Sequence, residues 1–463
     1  MKSLQDLIEA TPDLVDYFYN DTVSPAGRNR PGASPVPLEF SNWRTEQRAW
    51  REAAVLFDQS HHMPELFLKG PDAFRLLNHL GVNSFRDFVP GRAKQFLACN
   101  HEGHVIGECV LFYLEEESFE MVSGAQLQDW VAFNAQTGGY AVTALRDPQT
   151  DANPQGRTRF RYGLEGPRAE SIFREVVENE APEIAFFRTA RVLIAGHEVL
   201  ALRHGMAGHW GVELSGPYAH GAAVRQAILE VGRKHGLTPA GRSAYFSAQA
   251  EGGWMAYPLP AVYTDPGLKA FRQWLPLTSW AARAQLAGSD RGRSIEHYYL
   301  TPWDMGLDRI MKFDHDFVGR AALEAMVHRP HRTKVTLVWD RDDVARIQAS
   351  MFAPGIPFRH LEFPVASYGF PQCDLVKTPA GQVVGRAGFS GYSANEASML
   401  SIASVDRDWA EPGTILHLTW GEPDGGSRKP QVERHRQTDV RVTVAPAPYA
   451  TAARIMRGQG TAR

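Results

Sequence analysis

Five consecutive side chains that can form hydrogen bonds follow an apolar run early in the sequence. Leu56-Phe57 leads directly into Asp58-Gln59-Ser60-His61-His62, and a strand pattern begins at Glu65. Two adjacent histidines beside Gln, Asp and Ser are costly to bury unless each finds a partner. The run is therefore either a strand entry with one exposed and one satisfied histidine, or part of a site with a chemical function.

The composition sets the broad class of the protein. Its 463 residues are 43% hydrophobic and 22% charged, and the net charge is -3. This balance is typical of a soluble globular protein with two or three core-forming units. A net charge this close to zero gives no general attraction to nucleic acid or to an anionic membrane.

The cysteines and the apolar segments indicate where the protein works. Cys99, Cys109 and Cys373 are scattered and form no CxxC pair, so neither a disulfide framework nor a cysteine metal site is expected. The first ten residues have the pattern of an amphipathic helix rather than of a signal peptide. No run of about 18 apolar residues occurs. We therefore expect a cytoplasmic protein without a membrane span and without a bound metal.

The first third of the chain predicts an α+β layer. After a loop rich in Pro, Gly, Arg and Ser at 20–37, Ser41 is expected to cap a helix that continues to Ala54. Trp43 and Trp50 fall on one face of this helix and are expected to pack in the core. A strand, a helix, three strands and a helix follow, at 65–70, 71–77, 93–100, 105–114, 119–123 and 126–135. This order suits helices packed on an antiparallel sheet.

Later segments predict a second α+β half and a separate β domain. The loop at 147–157 has the composition of a boundary, and strand-then-helix order recurs after it. The polar run at 286–295 is expected to be a mobile surface insertion. From about Arg332 only strand patterns occur, separated by Pro/Gly turns, which predicts a barrel or a sandwich. The expected division is 1–331, whose two halves meet near 147–160, then a β domain at 332–445 and a frayed tail at 446–463.

Six short landmarks occur in order between about residues 40 and 420. They are Ala53–His61, Leu68–Ala73, Leu164–Pro167, Gly208–Glu213, Asp316–Leu323 and Gly385–Ser393. In that order they resemble the GLFDVSHM, VxGxDA, LQGP, YTGExGFE, xFIGKEAL and IGxVTSGxYSP motifs of the glycine-cleavage T-protein family, the tetrahydrofolate-dependent aminomethyltransferases. Each motif is weak alone, but six in the right order make a strong resemblance.

This resemblance implies a T-protein-like folate-binding fold with ferredoxin-like antiparallel α+β subdomains and a C-terminal β-barrel. It also implies tetrahydrofolate as the cofactor. Two differences from the T-protein motifs argue against aminomethyl transfer. The T-protein carries two aspartates, one of them catalytic, where this chain has Gly107 and Glu108. In its GxxARDxLRLEAG segment, the position of the arginine is occupied here by Tyr245.

Other stretches indicate a different branch of the family. They are Tyr245, the run Gln59–His62, Gly252-Gly253-Trp254, Phe40–Arg51 and Tyr392–Ser401. These stretches resemble the aryl-methyl-ether O-demethylases of lignin-derived aromatic breakdown, which act on vanillate, 3-O-methylgallate or syringate. The resemblance implies a methoxylated aromatic small molecule as the substrate and transfer of its methyl group to N5 of tetrahydrofolate.

The same resemblance implies a role for individual residues. The implied roles are proton handling by the catalytic Tyr245, substrate contact by Gln59 and His62, and folate contact by Glu213 and Trp254. Without the resemblance, Tyr245 would be a partly buried loop tyrosine, Trp254 a core residue and Glu213 a solvated charge. We expect His61 to be structural, because alternate residues of a strand point to opposite sides.

A tyrosine suits the expected chemistry. The leaving group of an aryl methyl ether is a phenoxide, and the reference pKa of tyrosine, about 10, lies near that of a phenol. A proton shared between the two oxygens therefore moves at little cost. The enzyme must also hold N5, the methyl carbon and the ether oxygen in line, which is a contribution of proximity. Glu213 would accept hydrogen bonds from the pterin N–H groups, and Trp254 would offer the pterin an apolar face.

The site of the substrate carboxylate is where this chain departs from the vanillate-type enzymes. Those enzymes hold the carboxylate with an arginine just after the strand equivalent to Phe119–Val122, and here Ser123 and Gly124 take that place. Either another cation replaces the arginine, with Arg28 and Arg30 of the N-terminal loop as candidates, or the substrate differs. Ser123 is expected to contact the substrate, and the space beside it would suit a dimethoxy ring such as syringate. A phenol without a carboxylate is the other option.

Two alternatives stay open. A related S- or N-demethylase, such as the dimethylsulfoniopropionate demethylase, releases a neutral thioether and needs no acid. A non-catalytic folate-binding protein, such as the iron–sulfur assembly relatives, carries a KGCYxGQE motif that this sequence lacks. No pattern in the sequence indicates an oligomeric state.

Overall fold

Three β-sheets organise the chain. The computed structural model describes residues 3–22, 34–206, 208–256 and 258–455. A six-stranded sheet contains β1 (Ala54–Asp58), β7 (Arg159–Glu165), β8 (Thr189–Ile194), β9 (His197–Arg203), β10 (Gly211–Pro217) and β11 (Leu237–Ala240). A five-stranded sheet contains β2 (Glu65–Lys69), β3 (Arg92–Cys99), β4 (Val105–Glu115), β5 (Ser118–Val122) and β6 (Thr143–Asp147). A barrel contains β12 (Arg332–Trp339), β13 (Asp374–Lys377), β14 (Val383–Ser393), β15 (Ser398–Asp406), β16 (Ile415–Trp420) and β17 (Thr438–Pro446).

The strand orders define two open sheets and one closed sheet. The six-stranded sheet has the order β11-β1-β7-β10-β9-β8, and the five-stranded sheet has the order β3-β4-β5-β2-β6. The barrel closes in the order β12-β15-β14-β13-β16-β17. In β17 the buried residues Val440, Val442 and Val444 alternate with more exposed ones, as expected when one face of a strand fills a core. The predicted α+β class and C-terminal barrel are confirmed.

Helices cover the two open sheets and join them to the barrel. They are α1 (Leu4–Ala10), α2 (Leu14–Asn20), α3 (Trp43–Glu52), α4 (Ala73–Leu80), α5 (Ala125–Thr137), α6 (Ala169–Val176), α7 (Gly221–Gly232), α8 (Arg242–Gly252), α9 (Lys269–Trp274), α10 (Arg320–Met326) and α11 (Arg341–Ala349). Over the described ranges, none of them has both the length and the apolar character that crossing a bilayer requires.

The polar run of the sequence connects the two open sheets. β1 pairs antiparallel with β7 and parallel with β11, whereas β2 lies between β5 and β6 of the other sheet. Residues 59–64 therefore pass from one sheet to the next. The predicted meeting point of the halves near 147–160 falls between β6 and β7, yet β1 pairs with strands that lie beyond that point.

Helix α3 packs as predicted but has different ends. Trp43 and Trp50 are buried in one apolar cluster, which confirms their core role. Asn42 caps the helix instead of Ser41, because its side chain accepts a hydrogen bond of 3.0 Å from the Thr45 N–H. The helix ends at Glu52 because the next residues pair with β11 as strand β1.

The prediction that only strands follow Arg332 is wrong at one place. Helix α11 interrupts the barrel strands between β12 and β13. Asp340 caps it by accepting hydrogen bonds of 3.1 Å from the N–H groups of Asp342 and Asp343. This is a strong local helix signal, since an acceptor side chain at the N-cap satisfies donors that the helix itself leaves free.

The polar segment at 286–295 is not a surface insertion along its first half. Ser289 and Asp290 are each only 5% exposed. The Ser289 N–H donates to Asp374 Oδ1 over 3.0 Å, and Tyr19 donates to the carbonyls of Gly288 and Asp290. Polar residues are buried here because partners from α2 and the barrel satisfy them.

The described part of the predicted tail, 446–455, is not frayed. Ala450 and Ala453 are each 3% exposed. The Ala450 N–H donates to the Glu251 carbonyl over 3.2 Å, and Gly208 leaves room for Ala453 to pack against its backbone. The segment 446–455 is thereby held against the C-terminal end of α8.

Candidate active site

A cleft of about 2230 Å³ opens between the two open sheets, α8 and the edge of the barrel. Pockets for one ligand have roughly 300–1,000 Å³, so this cleft has room for two ligands at once. The six residues of the predicted site all line it, namely Gln59, His62, Ser123, Glu213, Tyr245 and Trp254. Their roles remain predictions, but the fold brings all six to one cavity.

Helix α8 carries Tyr245 into the cleft. In the first turn of the helix the Tyr245 N–H donates to the Gly241 carbonyl over 3.0 Å. The helix packs on β1 through an edge-to-face contact between the rings of Tyr245 and Phe57, whose centroids are 5.3 Å apart. A second edge-to-face contact at 5.3 Å joins Tyr245 to Phe246. These contacts hold the tyrosine ring and give its hydroxyl a defined direction.

Two polar side chains from the crossover between the sheets meet the Tyr245 hydroxyl. His62 Nε2 lies 3.0 Å from this oxygen, and Gln59 Nε2 donates to it over 3.5 Å. Burial, with smaller effects of His61 and Arg157, lowers the pKa of His62 to about 3. The imidazole is therefore neutral at physiological pH. Its Nε2 either accepts the tyrosine proton or donates its own, depending on the tautomer.

His61 has a different set of partners from His62. Its Nδ1 lies 2.9 Å from Thr150 Oγ1, and its carbonyl accepts from the Thr150 N–H over 3.0 Å. Its Nε2 lies 3.8 Å from Asp58 Oδ2. These contacts tie the crossover to the loop before β7, which agrees with the structural role expected for His61.

A buried arginine anchors Glu213 on β10. Arg161 of the neighbouring strand β7 donates to Glu213 Oε1 through Nη1, and its other nitrogens donate to Glu65 and Glu120. Burial alone would lower the pKa of Arg161, but the three carboxylates raise it. Glu213 also lines the cleft. Its Oε2 has no hydrogen-bond partner within the described ranges, so it can accept hydrogen bonds from a ligand.

Trp254 belongs to a second polar group on the cleft wall. Its Nε1 donates to Glu108 Oε1 over 2.7 Å, and Gln95 Nε2 donates to Glu108 Oε2 over 3.1 Å. Burial raises the pKa of Glu108 above its ordinary value. The sequence marked Glu108 only as a departure from an aspartate pair, whereas the structure places its carboxylate in the cleft wall with both oxygens bound.

Ser123 lies at the end of β5 and uses its hydroxyl locally. Its Oγ donates to the Gly124 carbonyl over 2.8 Å. The side chain lines the cleft, but it does not join the hydrogen-bonded group around Tyr245. Arg28 and Arg30, the candidates for replacing the carboxylate-binding arginine, lie outside the described residues.

Met206 is a site residue that the sequence did not reveal. Its sulfur lies 3.8 Å from both the Tyr245 hydroxyl and Gln59 Nε2. The Met206 N–H donates to both carboxylate oxygens of Glu165 over 2.9 Å, which fixes the loop after β9. The nearby landmark Gly208–Glu213 was recognised by its glycines, and these give no sign of which side chain faces the tyrosine.

Unpaired polar atoms on the cleft wall fit a ligand that both donates and accepts hydrogen bonds. Within the described ranges, Gln59 Oε1, His204 Nδ1 and Gln285 Nε2 are buried and have no hydrogen-bond partner, and all three residues line the cleft. Buried polar groups without partners are rare in folded proteins. Together with the Glu213 carboxylate, they offer both donors and acceptors to ligands of the cleft.

Comparison with known proteins places the chain in a family. Residues 22–259 match the model of the GCVT N-terminal domain. A syringate O-demethylase of a Sphingobium species is 45% identical over 454 residues, which cover 98% of this chain and 97% of that protein. A sesamin methylene transferase of a Sinomonas species is 29% identical over 89% of this chain and 90% of its own length.

A solved structure agrees with the fold. The aminomethyltransferase T of the glycine cleavage system from Bartonella henselae superimposes with a TM-score of 0.61 at 16% identity, covering 90% of this chain and 91% of that one. The predicted T-protein-like fold is thereby confirmed. The chain belongs to the GCVT family of tetrahydrofolate-dependent transferases.

Proposed function

We propose that this protein is a tetrahydrofolate-dependent O-demethylase of a lignin-derived methoxylated aromatic compound. One observation carries the proposal: the Tyr245 hydroxyl lies 3.0 Å from His62 Nε2 in a cleft with room for two ligands. A phenolic acid beside a neutral imidazole suits the departure of a phenoxide. The similarity to a syringate O-demethylase supports the same reaction class.

Tyr245 supplies the proton control that the reaction needs. When bound, tetrahydrofolate supplies N5 as the acceptor of the methyl group. As the bond from methyl carbon to ether oxygen breaks, negative charge develops on that oxygen, and the Tyr245 hydroxyl donates a hydrogen bond or its proton to it. If Tyr245 gives up its proton, it would be reprotonated by the proton that N5 loses on methylation. The transfer of the proton from Tyr245 to the ether oxygen is nearly thermoneutral, since the two phenolic oxygens have similar pKa values.

His62 and Gln59 orient this proton and the substrate ring. With Nε2 protonated, His62 donates to the Tyr245 oxygen and leaves the tyrosine proton free for the ether oxygen. Gln59 Oε1 is buried and lacks a partner in the described part of the chain, so it can accept a hydrogen bond from the ring hydroxyl beside the ether. Neither side chain changes its charge in this scheme.

Glu213 and Trp254 hold the folate. The second carboxylate oxygen of Glu213 would accept hydrogen bonds from pterin N–H groups, while Arg161 keeps the first oxygen in place. Trp254 is fixed by its bond to Glu108, so its indole presents an ordered apolar face. Ordering these groups before binding lowers the entropic cost of aligning the two ligands.

The substrate class is a ring with two methoxy groups, of the syringate type. Ser123 and Gly124 leave space where the vanillate-type enzymes have an arginine, and the hydroxyl of Ser123 is turned to its own neighbour. A second methoxy group fits such a space better than a charged group does. Vanillate and 3-O-methylgallate would then be poorer substrates than syringate.

Two further proposals concern the setting of the enzyme. The three cysteines are free thiols, two of them buried, which supports a reducing cytoplasm. We also propose that 1–331 forms the folate-binding unit and 332–445 the β domain. The activity requires no nucleic acid and no membrane as a partner.

The direct test is methyl transfer by the purified protein. Tetrahydrofolate is incubated with syringate, vanillate or 2-methoxyphenol, and 5-methyltetrahydrofolate and the demethylated phenol are quantified by mass spectrometry. We expect both products in equal amounts, with syringate the fastest substrate. Absence of both products with every methoxyarene would refute the proposed function. Transfer from a sulfonium or amine donor alone would favour the S- or N-demethylase.

A further inference from the structure

Arg242 stands one helical turn before Tyr245 on α8. Both side chains line the cleft, and both also line a small recess that His62 shares. Residues three apart lie on the same face of a helix and are separated by about 4.5 Å along its axis. A planar ring whose ether oxygen meets Tyr245 can therefore extend toward Arg242 without leaving the cleft.

The Arg242 side chain has no counterion within the described ranges. Its Nε is buried and makes no hydrogen bond there. Its backbone N–H is engaged with the Pro37 carbonyl over 3.0 Å, which closes the segment before α3 over the start of α8. Arg146, another arginine that lines the cleft, is paired with Asp129 at 2.7 Å. A partly buried guanidinium without a carboxylate is a costly arrangement unless a ligand completes it.

Asp58 lines the same recess but its oxygens have other partners. Oδ1 accepts from the Ser60 N–H over 3.0 Å, and Oδ2 faces His61 at 3.8 Å. No ion pair joins Asp58 to Arg242 among the residues that the structure describes. The recess thus presents a positive group to the cleft, close to the hydroxyl that handles the proton.

The charge of the whole cleft points to an anionic ligand as well. Among its described lining residues, eleven are Lys or Arg and six are Asp or Glu, although the chain as a whole carries a net charge of -3. A cavity of opposite sign to the rest of the protein attracts and concentrates anions. This excess is a property of the full cleft, whereas Arg242 is the cation that lies on the same helical face as Tyr245.

From these observations we infer that Arg242 binds the ring carboxylate of the methoxybenzoate substrate. The guanidinium and a carboxylate form two parallel hydrogen bonds, and this geometry fixes the plane of the ring. The inference rests on the proposed function and names the residue that selects acids within the substrate class.

The test compares an acid with its neutral amide. Syringate and syringamide carry the same ring and the same two ethers, so they differ only in the group that Arg242 is expected to bind. KM and kcat are measured for both with wild type, Arg242→Met and Arg242→Gln. We expect both variants to raise KM for syringate by roughly 10- to 100-fold, as for loss of a hydrogen bond to a charged group. For syringamide, both variants should change KM by less than about 3-fold and should still show turnover.

A matched control distinguishes a direct contact of Arg242 with the carboxylate from a general effect of the positive charge in the cleft. Arg188 also lines the cleft, on the side of β3, where its backbone forms an isolated β-bridge with Arg92. Arg188→Met removes one positive charge from the same cavity, and it should leave the ratio of KM values for acid and amide unchanged. An equal effect of Arg188→Met and Arg242→Met would overturn the inference.

Binding measurements keep this test independent of turnover. Titration calorimetry of syringate and syringamide is run on wild type and on both Arg242 variants, after denaturant unfolding has shown which variants are folded. Loss of acid-over-amide preference in a folded variant supports the inference. An unchanged preference contradicts it and leaves acid recognition to another cation. A wild type that binds syringate selectively but transfers no methyl group would refute the proposed function and not this contact.

Discussion

His62 Nε2 and the Tyr245 hydroxyl are 3.0 Å apart, although 183 residues separate them in the chain. The histidine comes from the crossover between the two open sheets, and the tyrosine comes from α8. Their contact depends on β1, which packs against Tyr245 through Phe57 and leads directly into the run that holds His62. This pair is the centre of the proposed proton control.

Removal of the phenolic hydroxyl should abolish most of the turnover. Tyr245→Phe keeps the ring contacts with Phe57 and Phe246 but lacks the proton donor. We expect kcat to fall by about 10²- to 10⁴-fold, the usual contribution of a general acid, with tetrahydrofolate affinity unchanged. Steady-state kinetics and calorimetry measure the two quantities. Tyr218→Phe, at a tyrosine that is 43% exposed, is the control, and full activity of Tyr245→Phe would exclude the assigned role.

His62 should make the fold sensitive to acid. Burial holds its pKa at about 3 in the folded protein, against about 6.5 in an unfolded chain. Between these values the unfolded chain binds more protons, so the free energy of unfolding falls as the pH is lowered from about 6.5 toward 3. In His62→Gln this loss should be smaller by up to about 1.4 kcal/mol per pH unit.

Denaturant unfolding at a series of pH values between 4 and 7 measures this slope. The control is His328→Gln, at an exposed histidine, which should retain the wild-type slope. Identical slopes for His62→Gln and wild type would show that His62 is not the acid-sensitive group. Activity should show no transition due to His62 between pH 6 and 8, because its imidazole stays neutral throughout.

Arg161 should be essential for folding stability. Arg161→Met leaves Glu65, Glu120 and Glu213 in the interior without their shared cation. Breaking a buried ion pair in this way costs about 3–5 kcal/mol, so we expect a large fall in the free energy of unfolding, or no folded protein. Arg174→Met removes an exposed partner of Glu170 and should cost less than about 1 kcal/mol. Equal stability of the two variants would contradict the anchoring role of Arg161.

Substitutions at Trp254 test whether tetrahydrofolate binding depends on the face of the indole ring or on the hydrogen bond that its N–H group makes. Trp254→Phe retains an aromatic face and loses the bond to Glu108, while Trp254→Ala loses both. If the face is what binds, calorimetry should show nearly wild-type tetrahydrofolate affinity for the Phe variant and about 10- to 100-fold weaker binding for the Ala variant. Equal losses in both variants would instead assign the effect to the bond with Glu108.

Much of the fold, and the choice of Tyr245 as the candidate catalytic residue, could be predicted from the sequence alone. The alternating pattern of the barrel strands, the two tryptophans of α3 and the glycine-containing landmarks depend on neighbouring residues, and these report local geometry. The replacement of an expected arginine by Tyr245 is visible at one position. Such features need no knowledge of which distant segments meet.

The tertiary structure alone decided which side chains meet across long stretches of chain. Met206 reaches Tyr245, one arginine gathers three carboxylates from three strands, and Arg242 keeps a positive charge beside the cleft. The segment after Leu286 looks polar and mobile, yet it is buried because Tyr19 and Asp374 supply its hydrogen bonds. Burial of a polar group depends on partners that only the assembled sheets bring near, and no local pattern records them.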